Sequence, residues 1–216
     1  MEDLWIRVLL TLPLTLMALS AHEAAHAYAA YLLGDKTAQE RGRLTLMPFA
    51  HIDPFGTVAL PLLLALGGGP VFGYAKPTPV DPSRLRSPKL GYSIVALAGP
   101  ASNLLLALSL SLAGLLLVRG LDLRSASLEL VLGMGIFINV ILGFFNLLPL
   151  PGFDGLKVLY AVLPDSWCWR LNRAEGLFIV VLVMGVYLGL FIRLSTPAYS
   201  ATDALCRLAG IPFPRG

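Results

Sequence analysis

The stretch Ala21-His22-Glu23-Ala24-Ala25-His26-Ala27 lies inside an apolar run that extends over residues 4–33. In a helix, residues four apart lie one turn above each other, so His22 and His26 can direct a ring nitrogen at one position. Two imidazoles at this spacing suit a tetrahedral zinc ion, and Glu23 lies beside them as a candidate base. The alternative is an ordinary helix that carries two histidines by chance. Ionisable side chains are costly in an apolar segment, so the pattern favours the metal site.

The composition indicates a membrane protein. Of the 216 residues, 56% are hydrophobic and 13% are charged, whereas soluble domains carry about 25% charged residues. The net charge of +3 fits basic loops at a membrane surface, and no basic block suggests nucleic acid. Cys168 and Cys206 form no C-x-x-C pair, so neither a disulfide framework nor a thiolate metal site is indicated.

Four segments are apolar and approach or exceed the length needed to span a bilayer as helices. They cover residues 4–33, 91–118, 127–146 and 174–194. Residues 57–72 form a shorter apolar segment, which favours a re-entrant or interfacial insertion. We therefore predict an all-α polytopic membrane protein with about four spanning helices. It would form one membrane-embedded domain over residues 1–216, with a core at 4–160 and a C-terminal helix and surface tail at 174–216.

A small β region is expected between the first and second core helices. Residues 43–48 alternate in polarity like a short strand. Residues 74–80 are too rich in proline for a helix and suit an extended edge strand or hairpin, in which Lys76 and the prolines limit further pairing.

The histidine pair leaves a catalytic zinc one protein ligand short, with a further position open for water. Asp154 is the best candidate, in the stretch Asn146-Leu147-Leu148-Pro149-Leu150-Pro151-Gly152-Phe153-Asp154-Gly155. This stretch follows a spanning helix, and its prolines break the helix so that the backbone can turn a carboxylate inward. Considered alone, Asp154 would be an ordinary loop aspartate. The need of the histidine pair for a carboxylate favours the ligand.

The combination of H-E-x-x-H at residues 22–26 with Asn146-x-x-Pro149-x-Pro151-x-x-Asp154-Gly155 resembles the site-2 protease family of intramembrane zinc metalloproteases. Other stretches are similar to those of its short bacterial members: Gly42-Arg43-Leu44-Thr45-Leu46-x-Pro48, His51-Ile52-Asp53-Pro54-x-Gly56, Gly73-Tyr74-Ala75-Lys76-Pro77 and Ala98-Gly99-Pro100-x-x-Asn103. The resemblance covers residues 15–160. We expect neither the PDZ nor the CBS domain that larger members carry.

The resemblance implies an enzyme that hydrolyses peptide bonds within or next to transmembrane segments. One zinc ion per chain would be held by His22, His26 and Asp154. Glu23 would be the general base, because it can take a proton from water and deliver one to the departing amine. Asn146 would orient substrate or stabilise the developing oxyanion, or else form a helix-to-helix hydrogen bond. Asn103 is expected to make such a packing contact.

A peptide bond inside a transmembrane helix is hydrogen-bonded and screened, so a substrate must unwind locally before attack. The strand at residues 74–80, with Tyr74 and Lys76, would bind the unwound segment by edge pairing. A surface hairpin that caps helix ends is the alternative. His51 would either bond to backbone in its turn or approach the zinc in a resting state, until substrate displaces it.

The basic residues predict an orientation. If residues 57–72 do not cross, then residues 34–56, 73–90 and 149–173 share one side with ten Lys and Arg, and six lie opposite. The larger count marks the cytoplasmic side. We therefore expect a multi-pass protein of a cell membrane, the inner membrane of a bacterium, with its active site toward the cytoplasm.

Two other functions compete with proteolysis. A membrane metal transporter would need ionisable groups on several helices and at several depths; in the second to fourth helices Glu129 and Glu175 lie near the ends. An inactive relative acting as a binding partner would not need Glu23. The resemblance implies transmembrane protein substrates such as anti-sigma factors or remnant signal peptides, in a lipid bilayer and without nucleic acid.

Overall fold

The structure is a computed structural model that describes residues 2–60, 63, 73–174, 176, 178, 184, 185, 189 and 194–213. The α-helices discussed below are α1 (Glu2–Leu32), α2 (Thr37–Glu40), α3 (Pro88–Gly114), α4 (Ala126–Asn146), α5 (Asp154–Val158), α6 (Asp165–Arg173) and α7 (Thr196–Ala209). Short 3₁₀ turns cover Pro48–Ala50, Pro82–Arg84 and Leu159–Ala161, and π-helical turns cover Pro54–Ala59 and Leu115–Gly120.

The long helices begin at recognisable start signals. Pro88 occupies the first turn of α3, where its fixed φ suits a helix and its missing N–H leaves no bond unmade. The Ser125 hydroxyl caps α4 by accepting a hydrogen bond of 3.2 Å from the Leu128 N–H. Two continuous helices are long and apolar enough to cross a membrane, Pro88–Gly120 and Ala126–Asn146. They coincide closely with the second and third predicted spans.

α3 lies at the centre of the fold and contacts α1, α4, α5 and α7. Its buried residues recur about every fourth position and are mostly small, which lets the neighbouring helices approach closely. They include Gly91, Val95, Gly99, Asn103, Ala107, Ser111 and Gly114. The buried core against α4 and α7 consists of Ala107, Val118, Leu132, Ile136, Val140, Ala198, Cys206, Ala209 and Ile211.

The C-terminal helix α7 corrects the prediction of a surface tail. One face of α7 is exposed, but Ala198, Cys206 and Ala209 are almost fully buried against α3 and α4. The Ser111 hydroxyl of α3 donates a hydrogen bond of 2.7 Å to the Leu205 backbone oxygen. Small residues on both helices permit this approach, so α7 belongs to the helix bundle.

The predicted β region is wrong for residues 43–48 and 74–80, because no strand forms in the described part of the chain. Residues 43–48 fold into turns, held where the His51 ring donates a hydrogen bond to the Thr45 backbone oxygen at 2.8 Å. Residues 74–80 are extended, as expected, but Pro77 and Pro79 lack the N–H groups that a ladder requires.

Two predicted segments fall mainly outside the described residues. The fourth predicted span, 174–194, is one of them. The short apolar segment 57–72 is the other, and its described beginning is part of the π-helical turn Pro54–Ala59.

The chain reverses sharply between α4 and α5, and two glycines permit it. Gly152 has a φ of 89°, in the left-handed region that residues with a Cβ rarely adopt. At Gly155 a Cβ would lie 2.2 Å from the Leu147 backbone oxygen and 2.5 Å from that of Leu148. The first turn of α5 therefore packs directly on the end of α4, and this contact carries Asp154 back toward α1.

Replacing Gly155 with alanine should destabilise the fold, because the added methyl group would meet backbone atoms that have no rotamer to change. Overpacking of this kind costs about 1–3 kcal/mol. Thermal unfolding of the detergent-solubilised protein should show a lower midpoint for Gly155→Ala than for the native sequence. Gly176→Ala is the matched control, since no described residue lies within 4 Å of a Cβ at that position. Equal midpoints for both variants would refute this account of the turn.

Candidate metal centre

α1 presents His22 and His26 one turn apart, and α5 brings Asp154 to both of them. The two Nε2 atoms lie 3.1 Å from each other. Asp154 Oδ2 lies 3.0 Å from the Nε2 of His22 and 3.1 Å from that of His26. All three side chains are buried. The structure thus brings together the three residues that the sequence predicted as ligands.

The partners of the two rings fix where their hydrogens are. His26 Nδ1 lies 2.7 Å from the Val95 backbone oxygen, which only accepts, so this nitrogen carries the hydrogen. The Asn103 amide nitrogen donates to a backbone oxygen of α1 at 3.1 Å and to Asn139 Oδ1 at 3.0 Å. Asn103 Oδ1, 2.6 Å from His22 Nδ1, is therefore the acceptor. In their neutral forms both rings direct an Nε2 lone pair at Asp154.

Three electron-pair donors that face one another repel unless a cation lies between them. Tetrahedral zinc with bonds of about 2.0–2.1 Å places its ligand atoms about 3.3 Å apart. The observed separations of 3.0–3.1 Å are close to that value. Two imidazoles and one carboxylate are also a known donor set of catalytic zinc, which keeps another position for water or substrate. The residues present therefore fit zinc.

Gly99 of α3 leaves the space that an ion needs. A Cβ at this position would lie 2.3 Å from His26 Nε2 and 2.7 Å from His22 Nε2. Val95, Gly99 and Asn103 are four residues apart and share one face of α3. This face accepts a hydrogen bond from each ring and stays open between them.

The second oxygen of Asp154 is occupied by a cation of its own helix. Lys157 Nζ lies 3.1 Å from Asp154 Oδ1, so Asp154 offers one oxygen to the histidines and the other to Lys157. Burial raises the pKa of Asp154, but its hydrogen bonds to His22 and His26 and the positive charges nearby outweigh that effect and hold the pKa below its usual range. Asp154 is therefore ionised at neutral pH, as a metal ligand must be.

Glu23 lies beside this cluster. Its carboxylate and the ring nitrogens of His22 and His26 lie within 4.8 Å of one another. Glu23 Oε2 accepts a hydrogen bond of 2.7 Å from the Thr78 N–H. A cavity of about 60 Å³ opens next to Glu23, His26 and Asp154, and it exceeds the roughly 10–15 Å³ that one water molecule requires. A water molecule can thus reach a carboxylate base at the edge of the metal site.

The structure does not bring the remaining predicted site residues into this cluster. The Asn146 side chain donates a hydrogen bond of 2.9 Å to the Leu142 backbone oxygen in its own helix. The Tyr74 and Lys76 side chains are exposed. The Lys76 N–H donates to the His51 backbone oxygen at 2.9 Å. Substrate or oxyanion contacts by these residues remain predictions.

His51 adopts the first of its two predicted alternatives in this structure. It is buried, and its ring Nε2 bonds to the Thr45 backbone oxygen. Within the described residues, the metal-capable group comprises His22, Glu23 and His26 and does not include His51. A contact of His51 with zinc in another state stays a prediction.

Sequence reasoning missed several residues around the site. It assigned Asn103 to packing, whereas Asn103 also orients His22. Lys157 was detectable, because it follows Asp154 by three positions at the start of a helix, where the two side chains are neighbours. Asn139 and Thr78 reach the site only through contacts distant in sequence, and no local signal marked them.

Replacing Asn103 with leucine should weaken zinc binding, because His22 would lose the acceptor that fixes its ring and its tautomer. Loss of such an outer partner typically lowers metal affinity by about 10–100-fold. Competition with a chromophoric chelator measures the change. Ser109→Ala in the same helix is the control, since the Ser109 hydroxyl bonds only to the Leu105 backbone oxygen among its described contacts. An unchanged affinity in Asn103→Leu would show that His22 does not depend on this acceptor.

Comparison with known proteins gives relatives of one kind. The chain is 40% identical over 176 residues to a Bacillus subtilis protein named "Putative zinc metalloprotease YwhC", a match covering 79% of this chain and 77% of the relative. Rip2 of Mycolicibacterium smegmatis, which carries the same class name, is 37% identical over 173 residues, covering 78% of this chain and 64% of Rip2. Rip2 of Mycobacterium tuberculosis is 36% identical over 174 residues, covering 78% and 63%.

The chain thus spans about three quarters of YwhC but less than two thirds of either Rip2 protein. No family model matches the chain, and no solved structure matches it significantly. The convergence of His22, His26 and Asp154 beside Glu23 agrees with the class named for these relatives. The protein belongs to the site-2 protease family of zinc metalloproteases.

Proposed function

We propose that this protein is a zinc endopeptidase that hydrolyses peptide bonds within or next to transmembrane segments of other membrane proteins. The observation that carries the proposal is the meeting of three lone pairs within 3.1 Å, from His22, His26 and Asp154, with a carboxylate beside them. The relatives named as zinc metalloproteases support the same reaction.

His22, His26 and Asp154 would hold the zinc ion. When bound, zinc polarises a carbonyl group and lowers the pKa of water toward neutrality. Glu23 takes the proton from the attacking water and delivers it to the nitrogen of the departing amine. Thr78 occupies Glu23 Oε2, and within the described part of the chain we find no donor to Oε1. This arrangement leaves Glu23 one oxygen with which to accept a proton.

We propose that the site lies within a bilayer. The helices Pro88–Gly120 and Ala126–Asn146 flank it, and both have the length and composition of membrane spans. With α1 and the apolar segment 174–194 as the further spans, the protein would be a multi-pass protein of a bacterial inner membrane and a single domain. A lipid-facing site of this kind suits substrates that are themselves transmembrane helices, and anti-sigma factors and remnant signal peptides are candidates.

The extended segment at residues 74–80 is proposed to receive the unwound substrate. Pro77, Thr78 and Val80 line the cavity beside Glu23 and His26, so a peptide entering along this segment would pass the proposed base. A hydrolase explains Glu23 better than either alternative function does. A transporter needs ionisable groups along a path, and a binding partner without activity needs no proton acceptor beside the metal.

Glu23→Gln should abolish proteolysis while zinc binding is retained, because glutamine keeps the shape of the side chain and cannot take a proton. Loss of a general base typically slows a reaction by about 10²–10⁴-fold. Cleavage of a model single-span substrate in detergent or liposomes measures activity, and atomic absorption measures zinc. Glu40→Gln, an exposed carboxylate of α2, is the control. Full cleavage by Glu23→Gln would eliminate the proposed mechanism.

We also propose that the site faces the cytoplasm. The loops with most of the basic residues meet at one end of the helix bundle: the Arg86 N–H donates to the Leu33 backbone oxygen at 3.0 Å, and Lys89 Nζ to that of Leu163 at 3.1 Å. These contacts support a common side for residues 34–56, 73–90 and 149–173, which carry ten Lys and Arg.

Cysteine labelling should place the two ends of the bundle on opposite sides. In a chain whose native cysteines are replaced by serine, Arg41→Cys should react with a membrane-impermeant maleimide only in inverted vesicles. Ala126→Cys should react only in right-side-out vesicles. Both positions are exposed. The reverse pattern would place the active site toward the outside.

A further inference from the structure

The tripeptide Pro77-Thr78-Pro79 crosses directly beside Glu23. Proline has no backbone N–H, so Thr78 carries the only backbone donor of these three residues. That donor lies 2.7 Å from Glu23 Oε2. The Thr78 hydroxyl donates in addition to the Glu23 backbone oxygen at 3.0 Å. Thr78 therefore binds Glu23 at two points, one on the side chain and one on the backbone.

The two prolines also fix the direction of this donor. A residue that precedes proline is held in extended conformations, which applies to Lys76 and to Thr78. On one side, the Lys76 N–H donates to the His51 backbone oxygen at 2.9 Å, and the buried Arg43 guanidinium donates to the Lys76 backbone oxygen. The Thr78 N–H is thus directed by a segment that is stiff and anchored.

The other end of the segment is anchored as well. The Asp81 N–H donates at 2.7 Å to Oδ2 of Asp35, a fully buried residue that follows α1. Asp35 Oδ1 accepts from the Thr37 N–H at 2.9 Å. Both ends of the extended segment are therefore held by buried side chains, Arg43 and Asp35, and the Thr78 donor lies between them.

We propose that the Thr78 N–H is the positioning donor of the proposed base: it holds Glu23 Oε2 and so presents Oε1 to the attacking water. This inference rests on the function proposed above. Glu23 borders a cavity and has three rotatable side-chain bonds, so without the Thr78 hydrogen bond its carboxylate can turn away from the water. A displacement of about 1 Å at a reacting group can slow a reaction by about 100-fold.

A purely structural role predicts a different result. If Thr78 only tethers the extended segment to α1, removing its N–H would lower stability or zinc content, and cleavage would fall in proportion to the loss of folded, zinc-loaded protein. If Thr78 positions Glu23, kcat falls while KM, zinc content and the midpoint of thermal unfolding stay the same. The distinction lies in how the change divides among these four measurements.

An amide-to-ester exchange tests the N–H itself in the full chain. Thr78→Val keeps the N–H and removes the hydroxyl. Incorporating 2-hydroxy-3-methylbutanoic acid at position 78 gives the same side chain with an ester oxygen in place of the N–H. The control is the same hydroxy acid at Val80, whose N–H has no partner among the described contacts. Cleavage of a synthetic single-span peptide in detergent micelles gives kcat and KM.

We expect the ester at position 78 to lower kcat by about 10–100-fold relative to Thr78→Val, in line with a misplaced reacting group, with no change from the ester at position 80. Equal kcat for ester and amide at position 78 would overturn the inference, as would a fall in zinc content that accounts for the loss. A loss in Thr78→Val as large as that in the ester would assign the effect to the hydroxyl and also overturn it.

The same assay separates this inference from the proposed function. If the native chain shows no cleavage that depends on Glu23, the proposed function fails and the inference fails with it. If native cleavage does depend on Glu23 and the two position-78 variants have equal kcat, only the inference fails.

Discussion

The structure depends on three lone pairs that point at one another inside an apolar helix bundle. The two Nε2 atoms and Asp154 Oδ2 lie 3.0–3.1 Å apart, a separation that is repulsive without a cation and favourable around one. Every hydrogen that could relieve the repulsion in the neutral rings is held on the outer side, by the Val95 backbone oxygen and by Asn103. Metal binding and folding at this site are therefore coupled, because the ligands come from elements distant in the chain.

One face of α3 provides what the two rings require. Val95 supplies an acceptor, Gly99 supplies open space, and Asn103 supplies the second acceptor, over two turns of one helix. The same stripe continues with small residues that allow α4 and α7 to pack closely. The geometry of the site and the packing of the bundle thus rely on the same helix, and a bulky residue in this stripe would disturb both. Lys157 completes the arrangement from the opposite side, where it balances the charge of Asp154.

The sequence predicted the long helices well because their signals are local. Apolar length identified 91–118 and 127–146, and the observed helices differ from these limits by a few residues. The β region failed for an equally local reason. Alternating polarity suggested a strand at residues 43–48, but side chains there bind backbone oxygens and fold the chain into turns. At residues 74–80 the prolines remove the donors of a ladder, although they keep the backbone extended.

The sequence by itself determined the donor set: two imidazoles one helical turn apart, an adjacent carboxylate, and an aspartate placed after a broken helix. Spacing within one helix fixes such relations, because residues four apart share a face whatever else the protein does. Tertiary structure alone decided which partners orient these groups. Asn103 meets His22 and Thr78 meets Glu23 across separations of 81 and 55 residues. Contacts of this kind depend on how helices pack and where an extended segment crosses them, and no periodicity in the chain encodes that.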